Sequence, residues 1–148
     1  MAGMRRGWTV AAAVAAAVVL CTACSPSSGK SGDADASAVV SAVEAADSRV
    51  ASATVEQGQS GFSSGWIVEV VMSGDDPVTS DELSALLLAA RHAGSREPGH
   101  IDLFTKSQSG ASLDLTAAAD QLGILYSKIG DGIDVNSDGI DDALGTGR

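Results

Sequence analysis

Cysteine is nearly missing from this 148-residue chain: the two present are Cys21 and Cys24, and none follows. The segment after position 24 therefore has no disulfide, no thiol nucleophile and no cysteine metal cluster, and its core must hold it together. Positive charge is scarce too, with nine lysines and arginines against nineteen aspartates and glutamates, a formal net charge of −10. Nucleic-acid binding depends on lysine and arginine displacing counterions from phosphates, so this composition disfavours it. Anionic lipid headgroups repel such a chain as well, and its acidity favours solubility or cation binding. Histidine is limited to His92 and His100. No H-x-x-x-H or comparable cluster accompanies them, so a zinc or general-base role lacks partners. Finally, the apolar run from Thr9 to Ala23 is fifteen residues long, whereas a helix crossing about 30 Å of hydrocarbon needs about twenty.

What that run does have is context. It follows Arg5 and Arg6 and ends in the small residues Thr22 and Ala23 directly before Cys24, the order of a secretory signal. The stretch Leu20-Cys21-Thr22-Ala23-Cys24 resembles the lipobox of bacterial lipoprotein precursors, usually leucine, two small residues and cysteine. Here the leucine stands one place early and Cys21 takes its slot. The resemblance implies that residues 1–23 are a signal peptide. Cys24 then receives a diacylglyceryl thioether, becomes the first residue, and holds the chain to the lipid bilayer at the extracytoplasmic face of the bacterial membrane. At about 0.8 kcal/mol per buried methylene, one acyl chain binds marginally and two bind firmly. The alanine, glycine and valine usage is similar to that of actinobacterial lipoproteins. An ordinary secreted protein and an uncleaved anchor are the alternatives. Arg5, Arg6 and Trp8 are shared with twin-arginine export signals, from which Met4 and Thr9 depart.

Loss of residues 1–23 leaves seven basic and nineteen acidic residues, net near −12. Residues 24–38, small and polar, cannot offset the entropy of ordering and read as a lipidated leash of about 20 Å. Residues 39–130 read as one small α+β domain, a two-layer sandwich with a mixed or antiparallel sheet of three to four strands and about three helices. Ala36, Val39, Val40, Val43 and Ala46 recur at helical spacing. A strand is expected over Val50–Val55, a Gly/Ser loop over Gln57–Gly65, and a central strand over Trp66–Met72, apolar on both faces. Thr79 and Glu82 form a capping box for a second helix that stops near Gly94. His100–Phe104 reads as a strand, Ser112 as the cap of a third helix ending at Gly123, and Ile124–Ile129 as a last strand.

Gly61 to Gly65, GFSSG, spells the serine-hydrolase elbow with Ser63 as nucleophile. That elbow needs a strand-to-helix turn above a large sheet, whereas this one leads into a strand, so a loop is expected. Trp66 is expected in the core, with a groove formed with Phe62 as the alternative. Arg96 and Glu97 are expected as a solvated pair. The acidic tail, residues 131–148, holds Asp134, Asn136 and Asp138 spaced by two and followed by Gly139. It resembles the calcium loops of thrombospondin type 3 repeats and, less closely, dockerins and EF-hands. By position, that resemblance implies calcium ligands at Asp134, Asn136, Asp138, the Ile140 carbonyl and Asp142. An EF-hand has an apolar residue where Asp141 stands and a glutamate where Gly145 stands, and a disordered acidic tail is the competing reading. The expected function is a non-catalytic interaction or envelope module with an unknown extracytoplasmic partner. The alternative is a calcium-dependent structural or adhesive module. Catalysis would need Ser63, His92 or His100 gathered with a carboxylate.

Overall fold

The computed structural model describes residues 30–145. Helix α1 (Lys30–Glu44) leads into strand β1 (Val50–Ser60), which reverses at Gly61, a left-handed position with φ +60°, and returns antiparallel as β2 (Ser63–Met72). Helix α2 (Ser80–His92) carries the chain back, so that β3 (His100–Ser107) lies parallel to β2. Helix α3 (Thr116–Leu122), β4 (Ser127–Ile129), β5 (Gly132–Asn136) and α4 (Ser137–Leu144) complete the chain, with β5 antiparallel to both β3 and β4. The result is an α+β fold on one mixed sheet of order β1-β2-β3-β5-β4.

Period-two alternation decides which side chains meet the helices. Trp66, Val68, Val70 and Met72 of β2, Ile101 and Leu103 of β3, and Ile133 and Val135 of β5 are all at most 3% exposed. They join Val39 and Val43 of α1, Leu83, Leu86, Leu87 and Ala90 of α2, Ala119 of α3 and Ile140 of α4 in one core. On the other face Ile67, Val71 and Phe104 stay partly exposed beside Glu69 and Lys106, which are exposed and paired at 3.5 Å.

The capping box forms as its residues dictate. The Thr79 hydroxyl accepts the Glu82 N–H at 3.3 Å and the Glu82 carboxylate accepts the Thr79 N–H at 2.8 Å. Arg49 donates to the same carboxylate at 2.9 Å, tying the start of β1 to α2. Burial works to raise the Glu82 pKa, but the bonds from Thr79 and Arg49 outweigh it and hold it below the usual value.

Several expectations are corrected. Among the described residues the sheet has five strands and the helices number four, not three to four and about three. Gln57–Gly65 is the far part of a hairpin: Gln57 pairs with Trp66 and Gly58 with Gly65, and this regular pairing overrides the weak strand preference of glycine and serine. Helix α1 starts at Lys30, within the stretch read as a leash. Ser112 does not cap α3, which begins at Thr116 without a side-chain cap. Its hydroxyl donates instead to Asp131 at 3.0 Å. The supposed tail is the most consequential correction. Ile133 and Val135 alternate into the sheet's covered face and Ile140 reaches the core from α4, all at 0% exposure, so residues 132–144 belong to the domain.

Candidate functional site

On the bare face, β3 and β5 bring two aspartates together. Asp102 and Asp134 are direct register partners across the antiparallel pair, where like charges oppose folding. Burial, and next the neighbouring Asp134 charge, push the Asp102 carboxyl above its ordinary pKa, while His100 acts in the opposite direction. Beside Asp134 opens a cleft of about 180 Å³ lined by Leu125, Tyr126, Ser127, Asp134 and Asn136. The Tyr126 hydroxyl donates to Asp120 at 3.1 Å. Burial and that carboxylate keep the phenol protonated to higher pH than usual.

His100 stands two residues before Asp102 on the same face, and its ring lies flat over Gly65. A Cβ at Gly65 would come within 2.7 Å of two ring carbons, and the ring's Nε2 is 3.8 Å from where a Gly58 Cβ would stand. The facing glycines of β1 and β2 therefore make a shelf on which this imidazole lies, with the Ile67 side chain beside it over Gly58. The histidine is 6% exposed and its Nδ1 has no hydrogen-bond partner among the described residues. The arrangement sets two carboxylates opposite each other beside a buried imidazole.

The chain matches no protein-family model, no curated protein and no solved structure.

Cys24, the expected lipidation site, lies outside the described residues. The calcium set is drawn apart by the fold. Asp134 sits mid-strand in β5, and Asn136 is the N-cap of α4, its Oδ1 accepting the Gly139 N–H at 2.7 Å. Asp138 and Asp142 are exposed on α4, while Ile140 lies inside that helix with its side chain in the core. A calcium loop needs these oxygens turned inward on one tight coil. Here a strand passes directly into a helix, with Asp134 on β5 and Asp138 and Asp142 on α4. Among the described residues no three of His, Cys, Asp and Glu stand together as a metal site.

The remaining candidates also separate. Ser63 begins β2 beside Gly99, the residue before His100, and it is His92 that stands away, exposed in the last turn of α2. Trp66 is 3% exposed in the core and Phe62 is fully exposed at the hairpin tip, so they form no shared groove. Arg96 and Glu97 do not pair with each other. Arg96 approaches Asp35 at 3.7 Å and Glu97 meets Arg91 at 3.3 Å.

Three polar groups escape sequence reading. Asp35 accepts the backbone N–H of Ser95 at 2.9 Å and its hydroxyl at 3.0 Å, which ties α1 to the loop before β3. The Ser95 N–H, followed by its hydroxyl, holds the Asp35 carboxyl below its usual pKa against the effect of burial. Arg91 joins α2 to α4 through Asp141 at 3.0 Å. Asp102 had one signal, an acidic residue inside a strand, where aspartate is normally depleted.

Proposed function

We propose that the chain is a lipoprotein anchored through diacylglyceryl Cys24 at the extracytoplasmic face of a bacterial membrane, and that its acidic α+β domain is a non-catalytic interaction module. The observation that carries this reading is the ordered series Arg5-Arg6, apolar run, Leu20-Cys21-Thr22-Ala23-Cys24. Its parts divide the work: positive charge orients the leader, the run inserts it, small residues admit the peptidase and the thiol takes the lipid. Two further features support it. The described domain contains no cysteine and so holds together in an oxidising space without redox chemistry. Its sheet leaves one face uncovered by the helices of the core, a surface on which a partner can act without disturbing the fold.

Growth of an expressing bacterium with a clickable fatty acid tests the anchor. Label should enter the wild-type protein, and Cys24→Ala should remove it and release the protein from the membrane fraction. Unlabelled wild type, or full labelling of Cys24→Ala, contradicts the proposal.

A further inference from the structure

The fold places three features at one end of the molecule. The first is the attachment of the amino-terminal segment. Helix α1 runs antiparallel to β1: Gly32 lies beside the Gln57 side chain, 3.4 Å from its oxygen to a Cβ built on the glycine, whereas Glu44 accepts the N–H of Ala53 nearer the other end. The chain therefore enters the domain at the hairpin end. The second feature is Phe62, fully exposed at the hairpin tip. The third is Leu125, 80% exposed. Its carbonyl lies 3.6 Å from a Cβ built on Gly139, whose N–H is bonded to Asn136. Asn136 pairs with His100 at the start of β3, the same end of the sheet as Ser63.

Phe62 and Leu125 are the two exposed large apolar side chains among the described residues. They stand on opposite sides of the sheet, one on the β1–β2 hairpin and one just before edge strand β4. Each lies within an uncharged stretch, residues 57–66 and 121–127, in a chain that is 19% charged as a whole. The tether is long enough to reach the hairpin tip. From Cys24 to Lys30 the chain spans six residues, at most about 20 Å when extended. The hairpin runs on past Gln57 by three strand residues, about 10 Å.

We infer that this end of the domain rests on the lipid surface, with Phe62 and Leu125 as two apolar contacts beside the acylated Cys24. The inference rests on the anchor proposed above. Towards the same end Asp33, Glu97 and Asp138 are exposed together with Arg96, acids outnumbering the base, so the matching surface is zwitterionic lipid rather than anionic lipid. A short tether raises the local concentration of the tip at the bilayer, so contacts too weak to bind alone become occupied. The bare sheet face then stands across the membrane plane rather than against it.

The test uses the full chain, processed in its host, purified and reconstituted in phosphatidylcholine vesicles with or without brominated acyl chains. Phe62→Trp and Leu125→Trp report on the two contacts, and Gln108→Trp, exposed at the far end where its N–H meets Met72 O, is the control. Trp66, 3% exposed, supplies a constant background. Bromolipid should quench most of the added emission at positions 62 and 125 and little at 108. Protein that floats with the vesicles but is quenched at 62 or 125 no more than at 108 overturns the two-point contact and leaves the anchor standing. Protein that does not float overturns the anchor, and the contact with it.

Discussion

The two faces of the sheet are built from the same strands and obey opposite rules. Leu103 points under the helices and is 1% exposed. Phe104, its neighbour, points away and is only partly buried, its ring lying over Gly132, where a Cβ would come within 2.6 Å of it. Carboxylates differ in the same way. In the helix layer bonds from Thr79 and Arg49 hold the Glu82 pKa down, and on the bare face burial and the facing Asp134 raise that of Asp102. One face is optimised for folding, and the other tolerates side chains that fold poorly.

This contrast is open to attack by substitution. Leu103→Ala should cost about 2–5 kcal/mol in urea unfolding, the range for emptying a well-packed aliphatic site. Glu82→Gln should cost about 1–2 kcal/mol at pH 7 by weakening a capping box. Because the folded pKa of Glu82 is depressed, its contribution is present above the unfolded-state value of about 4.3 and disappears as pH falls through the folded one. Wild type and Glu82→Gln should therefore converge in acid. Phe104→Ala should cost about 1 kcal/mol, since only part of its ring leaves water; a loss as large as that of Leu103→Ala would mean that the two faces are not distinct. Asp102→Asn should stabilise by about 0.2–1 kcal/mol at neutral pH, the worth of one directly opposed like-charge pair. Its sign runs the other way. A raised folded pKa penalises the ionised form, so the gain shrinks as pH falls through that pKa and vanishes below the unfolded value of about 3.9. Smallest of all, millimolar calcium should leave the melting temperature unchanged, in wild type and Asp138→Ala alike; a rise abolished by Asp138→Ala would restore a calcium loop.

Local chemistry made part of this legible. The Thr79 and Glu82 pair marks the start of α2, the alternation of Trp66 to Met72 marks β2, and Gly123, at φ +69°, ends α3. What stayed hidden depends on partners distant in the chain. Gln57 to Gly65 has a loop's composition and becomes a hairpin because β1 finds its register on β2. The strand ending at Asn136 was hidden behind the spacing of Asp134 and Asn136, since short oxygen side chains spaced by two suit both a calcium coil and a strand that ends in an N-cap. Ile133, Val135 and Ile140, at strand and then helix spacing, were the evidence that this segment enters the core. The Asp102–Asp134 opposition was not readable at all, because a register joining residues 32 apart in sequence is set by the whole sheet.

Mass spectrometry of the amino-terminal peptide of the protein from its native membrane tests the central claim most directly. The account requires a peptide beginning at position 24, its cysteine carrying a thioether-linked diacylglycerol. An unmodified thiol there, or residues 1–23 still attached, contradicts it.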